Sequence, residues 1–325
     1  MNNQTKISNW SNESIAIVIP YYNASKQIVE VIKVIPTFIN HVIIVDDCSK
    51  EKLPINEIQA ALNAVSNLVI LKNDINAGVG GATKLGFQKS IELKSLITIK
   101  VDADNQMDLS YLPNLIKPLI KNKADFAKGN RFRDLKALKQ MPFVRRIGNL
   151  ILSFLIKVAT GYWNVFDPTN GYFAIKNSLL TKINLEKLSN RYYFETSLLS
   201  ELYFQHARIK DVAMPAIYAD EKSNMILWKM PFLFSRKLLI TFVKRIAKEY
   251  FLFNFNIASL FIVTGLPLFL FGIIFGIKQW IFYTNINEFA PTGTIMIVTL
   301  SIILGFQLLL QAIQYDISTS PKCKQ

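Results

Sequence analysis

The chain has 325 residues, 51% hydrophobic and 18% charged, with 37 Lys and Arg against 23 Asp and Glu, a formal net charge of +14. So few charges among so many apolar residues exclude a disordered, collagen-like or coiled-coil chain. Two cysteines (Cys48, Cys323) and two histidines (His41, His206) exclude a disulfide framework and a Cys/His zinc cluster.

Met1–Ser14 is polar and the next apolar run, Ile15–Pro20, is short, so no signal peptide is expected and the N-terminal portion reads as cytosolic. Ile15–Ile19 is a β-branched strand, followed by Pro20, a polar turn and a helix over Gln27–Phe38. Val42–Val45 is a second strand running into Asp46-Asp47, and Ile55–Val65 reads as a helix. Leu68–Leu71 reads as strand, Gly80–Glu92 as helix, and Leu96–Val101 as a further strand that ends in acid. Alternation of this kind predicts a mostly parallel α/β sheet with ligands beyond the carboxyl ends of its strands.

Asp102-Ala-Asp104-Asn-Gln106 follows that last strand directly. Two carboxylates at i and i+2 leave the sheet edge together, and hard oxygen ligands this close suit Mg²⁺ or Mn²⁺ bridging substrate phosphates. A solvated Asp/Asn turn would read the same way in isolation. Asn76-Ala-Gly78-Val-Gly80-Gly81 opens a helix, where backbone N–H groups can meet phosphate. Its spacing (Gly78, Gly80, Gly81, Gly86) is not G-x-G-x-x-G and it follows the third strand, which argues against a dinucleotide site.

Residues 111–150 hold ten Lys/Arg against only Asp125 and Asp134. Most of these lysines read as a solvated face. Arg131, Arg145 and Arg146 are candidates for a bound phosphate, because a guanidinium grips phosphate in fixed bidentate geometry. Asp167 could orient a phosphate or accept its proton, or simply cap the Pro168 turn.

Across Trp228–Tyr250, Lys237, Lys244, Arg245 and Lys248 recur at helical spacing on one face. Leu239, Phe242, Val243, Ile246 and Tyr250 lie on another, the pattern of an interfacial helix. Phe251–Ile277 and Phe289–Tyr315 contain no Asp, Glu, Lys or Arg, and each exceeds the roughly 20 residues that cross a bilayer core. Two transmembrane helices are therefore expected at about 253–277 and 291–315, joined by Lys278–Glu288. Basic residues before the first and after the second (Lys322, Lys324) put both ends of the hairpin in the cytoplasm. Only Lys278, Lys322, Lys324, Glu288 and Asp316 are charged beyond position 250, so +13 of the +14 lies before it.

Pro20-Tyr-Tyr-Asn23, Val45-Asp46-Asp47-Cys-Ser49, Asn76-x-Gly78-x-Gly80 and Asp102-x-Asp104-x-Gln106 occur in that order. Together they resemble the family-two glycosyltransferases of GT-A fold, specifically the polyprenyl-phosphate (dolichyl-phosphate-like) hexose synthases. The resemblance covers about residues 15–225. Joined to the charge and hydropathy reading, it implies a mostly parallel α/β chain in three parts: a cytosolic GT-A nucleotide-sugar-binding domain (1–227), a juxtamembrane amphipathic helix (228–250) and a two-helix transmembrane hairpin with a short cytosolic tail (251–325).

By position, the resemblance implies that Pro20, Tyr22, Asp46 and Asp47 line the nucleotide pocket with Gly78 and Gly80. Asp104 would be the metal-binding acid for Mg²⁺ or Mn²⁺, with Asp102 and Gln106 beside the donor diphosphate. Arg131, in Gly129-Asn-Arg131, would face the acceptor phosphate, with Arg145, Arg146 and Asn149 as further contacts. Asp167-Pro-Thr-Asn-Gly171, Phe194-Glu195 and Lys222-Ser223-Asn224 resemble later elements. Ala24, Cys48 and Asn224 depart from the family's usual Glu, Gly and Lys. The implied partners are a nucleotide-diphosphate sugar (UDP- or GDP-linked), a polyprenyl phosphate, the bilayer and a second copy of the chain; nucleic acid is not among them.

The implied reaction is inverting transfer of a hexose to the lipid phosphate at the cytoplasmic membrane face. Two alternatives stay open: a membrane glycosyltransferase extending a lipid-linked glycan, and a catalytically silent scaffold of the same fold.

Overall fold

The computed structural model describes residues 13–64, 66–133, 143–215 and 230–323. They form two compact units, Met1–Thr241 with Pro321–Gln325, and Phe242–Ser320.

The first unit is built on a seven-stranded sheet: β1 (Ile15–Tyr21), β2 (His41–Asp46), β3 (Asn67–Lys72), β4 (Ile97–Lys100), β5 (Phe126–Asn130), β6 (Phe173–Lys176) and β7 (Ile209–Ala213). Its order is β3-β2-β1-β4-β6-β5-β7. β1 to β4 are parallel, β6 runs antiparallel to both β4 and β5, and β5 is parallel to β7. Every residue of β1 and β4 is buried, which is why β1 is almost purely apolar; β4 alternates Ile97 and Ile99 with Thr98 and Lys100, polar side chains that find buried partners. The chain steps outward from β1 to β2 and β3, then crosses to the other side of β1 for β4. That switch point opens a crevice at the carboxyl ends of β1 and β4.

Helices cover both faces. α1 (Ser25–Lys33) buries Ile28, Val29, Val31 and Ile32, and α4 (Leu112–Ile120) buries Leu112, Leu115, Ile116 and Leu119, against Ile15, Ile17 and Ile19. Each such side chain contributes about 1.5–3 kcal/mol. α3 (Gly78–Glu92) and α6 (Phe194–Phe204) hold the opposite face, where Phe87 meets the rings of Phe173 and Phe194. α2 (Ile55–Ala61) and α5 (Phe143–Thr160) complete the unit. The helix expected over Gln27–Phe38 ends at Lys33, because Pro36 disfavours helical backbone before it. The one expected over Ile55–Val65 stops at Ala61, where Leu62 turns extended.

α7 (Met230–Ala247) runs across the boundary between the units. In the second unit a π-turn (Lys248–Leu252) leads to α8 (Ile257–Asn285) and α9 (Thr292–Thr319). Both helices are long and apolar enough to cross a membrane, with mean hydropathies of 2.5 and 2.2 over their most apolar 18-residue stretches. α8 starts four residues later than the hydropathy run suggests, because an Asn256–Ser259 capping box fixes its first turn. It then continues through Lys278 to Asn285, so most of the expected linker is helix. The helices pack closely through small residues: a Cβ at Gly305 would collide with the Phe269 backbone, and one at Gly265 with the Leu308 side chain.

Two expectations need correction here. Arg245 does not join Lys237, Lys244 and Lys248 on an exposed face; it is 1% exposed. Its Nη1 and Nη2 donate to Asp316 Oδ1 and Oδ2 at 2.6 and 3.1 Å, and the Tyr250 hydroxyl donates to the same Oδ1 at 2.5 Å. An arginine–carboxylate pair this well satisfied can be buried, whereas a solvated surface cation would not be. The described part of the tail, residues 321–323, groups with the first unit, where the expected division put the tail with the hairpin. Asn164 Nδ2 donates to Pro321 O, and Cys323 Sγ donates to Ile209 O on β7.

Candidate active site

A cleft of about 580 Å³ opens over the carboxyl ends of β1, β2 and β4. Pro20 and Tyr22 line it from β1, Asp47 from β2 and Asp102 and Asp104 from β4, so five of the residues chosen for the donor site converge. Gly78 lines it as well. Asp46 and Gln106 do not line the cleft: Asp46 Oδ1 accepts the Ser49 N–H, and the Gln106 N–H donates to Asp104 Oδ1.

The glycine turn works differently from a phosphate cradle. Asp47 Oδ1 accepts from Asn73 Nδ2 (2.7 Å) and Ala77 N (2.8 Å), and its Oδ2 from Gly78 N (2.7 Å). Gly80 N and Gly81 N both donate to Asn190 O. Gly78, Gly80 and Gly81, three of the first four helical N–H donors, are thus taken up by the protein itself. Gly80 is a glycine because a Cβ would strike Ser189 O and the Asn190 backbone. It is a packing position away from the cleft.

The acidic cluster stands on a buried cation. Lys100 Nζ lies 2.5 Å from Asp102 Oδ1 and 3.8 Å from Glu195 Oε1. Burial alone would lower the Lys100 pKa, but Asp102 and Glu195, with Asp104 beyond, hold it above the ordinary lysine value. Lys100 and Lys128 both pair with Phe173 in register, so the two lysines flank one ring on the same face of the sheet. Lys128 donates to Asn170 O and sits 5.5 Å from the Phe173 ring centre. Burial pulls its pKa down to about 8, against the attraction of Glu195 and Asp167 and with the repulsion of Lys100 and Arg131.

Three residues along from Lys128, Arg131 leaves β5 at the same edge. Its Nε donates to Asp167 Oδ2 at 2.8 Å, its Nη2 to Oδ1 at 3.1 Å and its backbone N–H to Oδ2 at 3.2 Å. The Asp167 side chain is 0% exposed and that of Arg131 41%. The carboxylate, which also accepts from Thr169 Oγ1, is taken up in holding the arginine. Arg146 and Asn149 lie half-buried on α5. The Arg145 side chain and the Lys222-Ser223-Asn224 segment lie outside the described residues.

Sequence reasoning passed over Arg191, Tyr192, Lys100 and Lys128. Arg191 and Tyr192 line the cleft opposite the aspartates, and both are exposed. A signal was present in Asn190-Arg-Tyr-Tyr-Phe-Glu195, which puts a cation, aromatics and an acid across the start of a helix. The lysines gave none, since both sit inside strands.

Among the described residues no group of three His, Cys, Asp or Glu side chains could hold a metal by itself. Asp102 and Asp104 fit a different arrangement: a hard divalent ion held by one or two carboxylates and completed by substrate phosphates and water. Lys100 occupies one oxygen of Asp102, which leaves the other for that purpose.

The same architecture recurs in solved structures. Glucosyl-3-phosphoglycerate synthase from Mycobacterium tuberculosis superposes with a TM-score of 0.54 at 19% identity, over 75% of this chain and 85% of that one. The same enzyme has also been solved with Mn²⁺, UDP and glucosyl-3-phosphoglycerate (TM-score 0.52, 18% identity, 73% and 81% coverage). At that identity the likeness speaks for the fold alone, which is the GT-A glycosyltransferase fold.

The sequence model described as Glycosyl transferase family 2 matches residues 16–183, and the chain belongs to that family. Its relatives include the UDP-N-acetylglucosamine–dolichyl-phosphate N-acetylglucosaminyltransferase of Methanococcus voltae, 29% identical over 222 residues, 65% of this chain and 88% of that protein. The polyprenol monophosphomannose synthase of Mycolicibacterium smegmatis is 25% identical over 157 residues, 47% of this chain and 57% of that one. The protein is a glycosyltransferase.

Proposed function

We propose that the protein transfers a hexose from a nucleotide-diphosphate sugar to a polyprenyl phosphate at the cytoplasmic face of a membrane, with inversion. One observation carries this reading. The aspartate pair and the Arg131–Asp167 pair leave β4 and β5 at the same edge of the sheet, donor chemistry beside a cation suited to phosphate. The names of two relatives support it, one giving dolichyl phosphate as the acceptor and the other a polyprenol monophosphomannose as the product.

In this reading Tyr22 and Tyr192 flank the nucleotide, and Arg191 meets the diphosphate at the mouth of the cleft. Asp104, with Asp102, would hold Mg²⁺ or Mn²⁺, which supplies Lewis-acid stabilisation to the departing diphosphate. Asp167 fixes the plane of Arg131, and Arg131 fixes an oxygen of the lipid phosphate behind the anomeric carbon. That oxygen, already ionised near neutral pH, forms the new bond to C1. The bond from C1 to the β-phosphate oxygen breaks with its electron pair on the nucleoside diphosphate. No protein base is needed.

α8 and α9 cross the bilayer as a hairpin with both ends on the cytosolic side. The return of Pro321–Cys323 to the unit that carries the catalytic sheet supports that topology. Self-association through the membrane part belongs to the same proposal.

The test is to incubate the full chain in lipid nanodiscs with a panel of UDP- and GDP-sugars and undecaprenyl or dolichyl phosphate, and to identify the glycolipid by mass. The expected product is a monoglycosylated polyprenyl phosphate, lost in Asp104→Asn by about 100-fold or more. Transfer only to a preformed glycolipid would overturn the reading.

A further inference from the structure

α5 is apolar on two sides. Leu152, Ile156 and Ala159 are buried in the catalytic unit. Ile147, Leu150, Ile151, Phe154 and Leu155 face outward, each between 37% and 57% exposed. Their spacing (i, i+3, i+4, i+7, i+8) makes one continuous stripe on the outer side of a single helix. Phe166, 40% exposed, adds to the exposed apolar surface. At Gly148, on the same stretch of α5, an added Cβ would meet nothing within 4 Å. A soluble surface rarely leaves so many contiguous large apolar side chains in water.

We propose that this face of α5 is a second membrane contact of the protein, lying in the headgroup region of an anionic bilayer. Three observations select that occupant. α5 itself carries no acid: the half-buried Arg146 precedes the stripe, and Lys157 near its end lies 4.5 Å over the Phe166 ring, with Asp211 of β7 nearby. Apolar stripe, aromatic anchor and basic rim are the composition of a helix lying in the interface plane. Net charge agrees, because +13 of the chain's +14 lies before residue 251. The same chain also carries two helices long enough to span a membrane, so a bilayer is the apolar phase present at the highest effective concentration.

The contact would bear on the reaction, a point that rests on the function proposed above. Ser153 Oγ, on α5, donates to Phe166 O at 2.6 Å, and the next residue is the carboxylate that holds Arg131. Docking α5 thereby sets the acceptor arginine at a fixed depth relative to lipid headgroups.

The experiment locates side chains and does not depend on turnover. Nitroxide labels are placed at Ile151→Cys and Phe154→Cys, and at Ile75→Cys, which is 74% exposed elsewhere on the unit. The full chain, with Cys48→Gly and Cys323→Ser, is reconstituted into vesicles of phosphatidylcholine and phosphatidylglycerol. Expected is loss of relaxation by a water-soluble nickel chelate at 151 and 154, with gain of relaxation by oxygen, while 75 stays open to the chelate. Free access of the chelate at 151 and 154 overturns the proposal. Exclusion of both reagents overturns it in favour of cover by another part of this chain, and spin–spin broadening in favour of a second copy. Phe154→Glu checks the direction: a label at 151 should regain chelate access. Because no outcome involves sugar transfer, the proposal and the enzymatic reading can fail separately.

Discussion

Two arginine–aspartate pairs with similar bidentate geometry serve the two units differently. In the hairpin, Arg245 and Asp316 are both buried, and Tyr250 adds a further donor to the carboxylate. In the catalytic unit only the acid is buried: Asp167 is sealed while Arg131 stays accessible. The first pair spends both charges on joining the end of α7 to the end of α9. The second uses a sheltered carboxylate to hold out a cation whose orientation is set before any ligand arrives. Asymmetry of exposure, more than the ion pair itself, separates an arginine presented to solvent from one used up in packing.

Removing one charge should break the comparison most sharply. Asp316→Asn leaves Arg245 buried and uncompensated, and should cost about 3–5 kcal/mol of hairpin stability, read as a drop in melting temperature in detergent. Arg245→Met with Asp316→Leu should recover most of that loss, since neither charge then needs a partner. Full stability in the single variant would show that the pair is not structural.

Lys128 is a third kind of buried charge, a cation with no carboxylate within ion-pair distance among the described residues. Its folded pKa of about 8 lies below the ordinary 10.5. Below pH 8 both folded and unfolded states carry the proton and the burial cost is complete. Between about 8 and 10.5 the folded state loses it first, the unfolded state binds more protons, and stability rises with pH. Lys128→Met should remove that rise and stabilise the protein at pH 7, by on the order of 2–3 kcal/mol. Melting curves of both proteins across pH 7–10.5 decide it; parallel curves would place the titration elsewhere.

Arg131→Lys tests the other pair with its charge kept. The Nε/Nη2 fork is lost, so the KM for lipid phosphate should rise about tenfold, with little change in KM for the nucleotide sugar or in melting temperature. Arg245→Lys should do the reverse, lowering melting temperature at unchanged KM. The smallest effect is expected at Cys48, which adopts φ 57° where the family's usual residue is glycine. Cys48→Gly should relieve left-handed backbone and stabilise by about 1 kcal/mol or less, measured by chemical denaturation.

Local pattern carried the parallel half of the sheet and the placing of Asp102 and Asp104 beyond the end of a strand. Ile15–Tyr21, His41–Asp46 and Ile97–Lys100 announce themselves as β-branched runs, and polar residues gather where they end. β5, with the sequence Phe-Ala-Lys-Gly-Asn, has no such signature, because its lysine is stabilised by groups from β6 and α6. Arg245 was legible as a helical-face cation but not as a buried one, since Asp316 lies 71 residues further on. The glycine turn misled for the same reason: its donors are used by Asp47 and by Asn190, partners that only the tertiary fold brings there.

The tail that returns to β7 changes how the molecule is divided. β7 is an edge strand, and Cys323 reaches it after the chain has been through both long helices. The hairpin is therefore an insertion within the catalytic unit, not an appendage hung from its end. Cutting the chain before the hairpin would also remove a segment of the catalytic unit.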